Sequence, residues 1–211
     1  MPKKPIPRSR RIELPVMKIK YKDIFDIKDF YLSLREWCVD HGWKDEEDLT
    51  DHMESYYGEI IRAGGVKEIF FRWRLFKPAE GSAKSKEGRS GKINYYLDLD
   101  FHALGISDTE VVKEGAKLKV QKGEINIDIY SFIDKAYEEE FSSGVLKGLR
   151  SFFTTKVYKG QLERRKKELY QEIYVFNNFI KQWFKLKRYL PHEETGEFFR
   201  SYAWPSHVKE Q

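Results

Sequence analysis

Residues 93–102, Ile93-Asn94-Tyr95-Tyr96-Leu97-Asp98-Leu99-Asp100-Phe101-His102, alternate strictly between two kinds of side chain. Ile93, Tyr95, Leu97, Leu99 and Phe101 fall on one side of an extended chain. Asn94, Tyr96, Asp98, Asp100 and His102 fall on the other. A period of two predicts a strand with one buried and one polar face. The same alternation comes just before it. Ile69, Phe71, Trp73 and Leu75 oppose Phe70, Arg72, Arg74 and Phe76, and Pro78 ends the run. Residues 79–91, AEGSAKSKEGRSG, hold no large apolar side chain and read as the loop between the two strands.

Working outward, Met17, Ile19 and Tyr21 alternate with lysines and predict a first strand. A helix is expected next. Asp26 is its N-cap, Ile27, Phe30, Tyr31, Leu34, Trp37 and Cys38 recur at helical spacing, and Gly42 stops it. Met53, Ser55, Tyr57 and Glu59 sketch a second strand, and Gly64-Gly65 a turn. A fifth strand is expected over 109–121, broken at Glu114-Gly115. Lys122-Gly123 reads as a tight turn into a sixth strand opened by Ile125, Ile127 and Ile129 and running towards Tyr137. Val145, Leu149, Phe152 and Phe153 predict a helix to about Tyr158, and a longer one is expected over 161–189, before Pro191.

The expected fold class is therefore α+β: an antiparallel sheet of about six strands in a meander, packed by an N-terminal helix and a long C-terminal helix. The expected organisation is a basic, disordered arm over 1–15 and a single α+β domain over 16–190, its last part, 143–190, being basic helices. An aromatic tail follows over 191–211. The single cysteine, Cys38, excludes an intramolecular disulfide and suits a reducing cytoplasm, and its place on an apolar helix face predicts a buried thiol. No apolar run approaches the roughly 18 residues of a membrane span.

Charge is segregated. Residues 1–22 carry eight Lys/Arg and one acid, residues 23–142 seventeen and twenty-six, and residues 143–190 twelve and three, within a net charge of only +5. Two basic blocks flanking an acidic body predict an anionic partner. On the long helix, Leu162, Leu169, Ile173, Phe176, Ile180, Trp183 and Phe184 project as one apolar stripe. Lys167, Tyr170, Tyr174, Lys181, Lys185 and Arg188 project beside it. Cations interleaved with phenols suit a nucleic-acid backbone. With Lys3, Lys4, Arg8, Arg10 and Arg11 of the arm, these are the candidate RNA-binding residues. RNA, on the ribosome, is the expected partner, and an acidic membrane surface the alternative.

No catalytic motif is present: there is no Gly-x-Ser-x-Gly elbow and no glycine-rich phosphate loop, so the expectation is a non-enzymatic protein with no cofactor. Asp98, Asp100 and His102 share a strand face, about 7 Å apart in sequence steps of two. A metal-assisted hydrolase is the third functional reading of them. The competing one is cross-strand pairing with Arg72 and Arg74 on a solvated sheet face.

Two stretches, residues 95–105, YYLDLDFHALG, and 167–174, KELYQEIY, the latter continuing to Phe179-Ile180-Lys181, resemble a group of uncharacterised archaeal proteins over residues 18–190. That resemblance implies an archaeal cytoplasmic protein and carries no activity or catalytic residues with it. The element order is similar to the helix-grip fold of Bet v 1/START-like proteins. The similarity implies, as the alternative function, a carrier of an apolar small molecule or lipid, with Trp73, Tyr95, Leu97 and Ile127 lining its cavity. The chain departs from that pattern in having one N-terminal helix where two are usual, and two C-terminal helices.

Overall fold

The computed structural model describes residues 6–45, 53–79, 93–113, 116–141 and 159–184. Their strands are β1 (Arg11–Glu13), β2 (Met17–Phe25), β3 (Lys44–Asp45), β4 (Glu54–Ile61), β5 (Lys67–Pro78), β6 (Asn94–Lys113) and β7 (Ala116–Asp134). The helices are α1 (Ile27–Asp40) and α2 (Lys159–Trp183). The strands form one seven-stranded antiparallel sheet, so the fold is α+β. At its centre β5, β6 and β7 pair in sequence order. β1 and β2 share the outer edge of β7, and β3 and β4 share the outer edge of β5.

The alternation of residues 93–102 sets the register of the whole sheet. Phe101 lies opposite Phe71 on β5 and Ile127 on β7, and Ile127 lies opposite Ile19 on β2. One residue back, Asp100 lies opposite Arg72 and Asp128, and Asp128 opposite Lys18. The first row is buried and the second faces out, because a one-residue slip would exchange the two faces. The apolar face is aromatic-rich: Phe71 stacks on Phe101 at 4.2 Å, with Trp73 5.6 Å from the same ring.

Both helices cover this apolar face. The Asp26 carboxylate caps α1 by accepting from Lys28 N (2.9 Å) and Asp29 N (3.0 Å), and Gly42, at φ 75°, turns the chain away from its end. α1 buries Phe30, Leu34, Trp37 and Cys38. Phe30 meets Phe101 edge-on, and Trp37 lies 4.6 Å from Phe176 of α2. Phe184, at the end of α2, stacks on Tyr21 of β2 at 4.4 Å. Cys38 has no exposed surface, as its place in the pattern implies, and burial pushes its thiol pKa up. No described helix is long and apolar enough to cross a membrane.

The structure departs from the sequence reading in three places. First, residues 109–121 are not a separate strand. β6 runs to Lys113 and β7 starts at Ala116, which pairs with Lys113, and Lys122-Gly123 lies inside β7. The reason sits on the neighbouring strand. β6 bulges between Leu104 and Ser107 with Gly105 at φ 64°, and a side chain at Gly123 would meet Ile106 Cδ1 at 2.5 Å and the Leu104 carbonyl at 3.0 Å. The glycine permits a close crossing, not a turn.

Second, residues 8–13 are not a free arm. They form a 3-10 turn (Arg8–Arg10) and β1, which pairs with Phe132, Ile133 and Asp134. Third, β7 stops at Asp134 short of Tyr137, and a 3-10 segment, Ala136–Phe141, follows. The helix expected over 145–158, the helical residues beyond 184 and the tail over 191–211 lie outside the described residues.

Candidate nucleic-acid interface

α2 is amphipathic in the way its sequence projects. Leu162, Leu169, Ile173, Phe176 and Ile180 are buried. Lys167, Tyr170, Tyr174 and Lys181 are exposed on the neighbouring edge, with Tyr170 43% and Tyr174 52% accessible. Steps of three, four and seven residues keep these four in one sector of the helix. Exposure of that size on two phenols leaves their ring faces open to a partner.

Two of the three acids of α2 are engaged by partners, and the third, Glu163, is exposed on the same edge, one turn before Lys167. Glu168 accepts from Arg164 (2.9 Å), Arg165 (2.8 Å) and the Tyr95 hydroxyl (3.2 Å). Partial burial works against its ionisation, but the hydrogen bonds from Arg165 and Arg164 outweigh it and hold the carboxyl below the usual range. Burial also pushes the Tyr95 phenol up to about 12. Glu172 accepts from Trp43 Nε1 (2.9 Å) and pairs with Lys77, whose ammonium lies 5.0 Å from the Trp43 ring centre. Lys166, Lys167 and Lys181 are exposed and come within ion-pair distance of no described carboxylate, the nearest acid along the helix edge being the exposed Glu163. The sequence projection passes over Lys166; it precedes Tyr170 by four residues, and that spacing is the signal that points to it.

The arm is divided. Arg10 grips the buried Asp134 carboxylate with two hydrogen bonds of 2.5 and 2.8 Å. Arg11 donates to the Ile6 carbonyl (2.9 Å) and lies 4.6 Å over the Phe132 ring. Arg8 is exposed. Lys3, Lys4, Lys185 and Arg188 lie outside the described residues.

The polar face of the sheet holds the other candidates. Arg72 pairs with Asp100 through both carboxylate oxygens, and Arg74 stands opposite Asp98 in register. His102 stacks on Phe70 at 4.3 Å and bonds Glu68 at 2.9 Å, while Glu68 also pairs with Arg62. The Arg62 bond, then the His102 bond, hold the Glu68 carboxyl below its usual range. Asp100 and His102 are thus occupied by separate partners, and no group of three or more His, Cys, Asp or Glu among the described residues could hold a metal ion. An open trough of ≈ 570 Å³ crosses this face between Lys18, Lys20, Tyr56, Phe70, Arg72 and Asn126. Its cations are compensated, Lys18 by Asp128, Lys20 by Glu124 and Arg72 by Asp100. Trp73, Tyr95, Leu97 and Ile127 point the opposite way, into the core, and are at most 4% exposed.

The chain matches no protein-family model, and no curated protein or solved structure matches it.

Proposed function

We propose that this protein binds RNA without acting on it, through the solvent-facing edge of α2. The observation that carries the reading is the excess of exposed cations on that edge. Lys166, Lys167 and Lys181 flank two half-exposed tyrosines and outnumber its one exposed acid, Glu163, while Glu168 is held by Arg164, Arg165 and Tyr95 and Glu172 by Trp43 and Lys77. Ammonium groups neutralise phosphates and release condensed counter-ions, and tyrosine rings accept unpaired bases. In the sequence Lys185 and Arg188 follow as further cations of the proposed set. Arg8, with Lys3 and Lys4, supplies the arm's share, whereas Arg10 serves the fold.

The experiment is retardation of a labelled single-stranded RNA across a salt series, with sedimentation through ribosome gradients at two salt concentrations in parallel. Retardation at low salt with a negative log–log slope is expected. Lys167→Ala with Lys181→Ala lowers the slope by about 0.7 for each phosphate no longer neutralised. Tyr170→Ala and Tyr174→Ala each cost roughly 1–3 kcal/mol if a base stacks there. No retardation at low salt and no co-sedimentation overturns the proposal, as does capture by acidic vesicles with none by RNA.

A further inference from the structure

The two outer edges of the sheet are built differently. β2 carries Lys18, Lys20 and Lys22 at alternate positions, with the Lys18 and Lys20 side chains 69% and 66% exposed. Charged lysines at this spacing are how soluble proteins stop an edge from pairing with another chain. β4 lacks such protection. Between Glu54 and Ile61 it has no lysine and no proline, and Tyr56, Tyr57, Ile60 and Ile61 are 57%, 57%, 49% and 68% exposed. Among the described residues only β5 pairs with it, so its other edge presents unpaired backbone donors and acceptors.

We infer that β4 is a dimerisation edge: it pairs antiparallel with β4 of a second copy about a two-fold axis at Gly58, joining the two sheets into one. The register follows from the strand itself. In an antiparallel pair, facing residues must both direct their backbone groups at the partner, so a two-fold pairing centres on a residue. Centring on Glu59 sets two like carboxylates against each other and is disfavoured. Centring on Gly58 sets Tyr56 against Ile60 of the second copy on one face, twice, by symmetry. On the other face it sets Tyr57 against Glu59, a pair that already hydrogen-bonds within the chain at 3.0 Å. At the axis Gly58 carries no side chain, and the space a Cβ would take is filled by the ring of the same chain's Tyr56, whose hydroxyl lies 2.7 Å from that position. Apolar and phenol–carboxylate pairs are thus self-complementary in this register, whereas the β2 lysines oppose edge pairing on the other side.

The test is sedimentation velocity of the full chain over a wide concentration series. A single step from chain mass to twice chain mass is expected. Ile60→Lys with Ile61→Lys gives β4 the protection β2 has and raises the dimer dissociation constant by about tenfold or more. Circular dichroism and the melting temperature check that this variant is folded. Tyr56→Cys with Ile60→Cys reports the register without depending on that variant. Oxidation links two chains through the double substitution and through neither single one, the native Cys38 being buried. A wild-type chain that stays monomeric throughout overturns the inference. So does a dimer that persists in the folded lysine variant, cross-linking through Ile60→Cys alone, or an open-ended polymer, which is the signature of β2 pairing with β4. RNA retardation is measured on the lysine variant as well, so that dimerisation and RNA binding fail or stand independently.

Discussion

Arg10→Ala separates a structural role from a binding role at the N-terminus. Its guanidinium makes two hydrogen bonds, of 2.5 and 2.8 Å, to an Asp134 side chain that is 2% exposed, while Arg10 itself is 15% exposed. Removing one member of such a pair leaves a carboxylate in low dielectric, which costs about 3–5 kcal/mol in buried pairs. Arg10 lies at the rim, where water partly replaces it, so the lower end applies. A loss of about 3 kcal/mol lowers the melting temperature by roughly 6–12 °C for a chain of this size. Urea denaturation monitored by tryptophan fluorescence measures the loss. Asp134→Asn in the Arg10→Ala background removes the stranded charge and recovers part of it. RNA affinity at fixed salt is expected to stay near wild type. A stability change below about 0.5 kcal/mol, typical of solvated surface positions, combined with a clear loss of RNA affinity, refutes the reasoning and returns Arg10 to a free arm.

Three further outcomes follow from the geometry. The Glu68 carboxyl is held below its ordinary value by Arg62 and His102, so the unfolded chain binds its proton first on acidification. Its contribution is present above the ordinary carboxylate range and lost as pH falls through the folded value. Glu68→Gln is therefore less stable than wild type at neutral pH, and the difference closes below about pH 4 in urea midpoints measured against pH. Gly123→Ala destabilises by about 1–3 kcal/mol, since two backbone carbonyls and Ile106 Cδ1 crowd the new methyl, and Ile106→Val restores part of the loss. The Cys38 thiol, fully buried and with its pKa raised, reacts with thiol reagents no faster than the protein opens, so labelling accelerates with urea; rapid labelling in native buffer contradicts the burial.

What was legible in the sequence was whatever depends on near neighbours in the chain. The two faces of β5 and β6 can be read from residues 69–76 and 93–102 because each strand has one face to bury, and α1 because Asp26 and Gly42 mark both its ends. β1 and β3, three and two residues long, carry no period, and exist because β7 and β5 offer them edges. Lys122-Gly123 carries the signature of a turn, while the bulge that explains it lies on another strand. Arg10 reads as one more cation of a tail until Asp134, 124 residues away, supplies its counter-ion. For the candidate interface, helical projection found the exposed sector of α2 but not the fate of Glu168 and Glu172. Glu168 keeps Arg164 and Arg165 within the helix, but its third partner, Tyr95, and Trp43 and Lys77 on Glu172 come from elsewhere in the fold.

Those partners change what the charge pattern means. Counted along the chain, residues 23–142 are an acidic body that ought to repel RNA. In the fold, Glu68, Asp100, Glu124, Asp128, Asp134 and Glu138 each lie within ion-pair distance of a cation. A paired charge acts beyond the Debye length of about 8 Å as little more than a dipole, whereas an unpaired cation keeps its full field inside that range. A polyanion approaching α2 therefore meets Lys166, Lys167 and Lys181 against the single exposed acid Glu163, and meets much of the acidic body as compensated pairs. The arm ranks lower on the same reasoning, because Arg10 is occupied by Asp134 and Arg11 lies against Phe132. The number that bears on an anionic partner is the excess of exposed cations over exposed acids on one surface, and among the described residues the edge of α2 holds Lys166, Lys167 and Lys181 against Glu163, beside two half-exposed tyrosines.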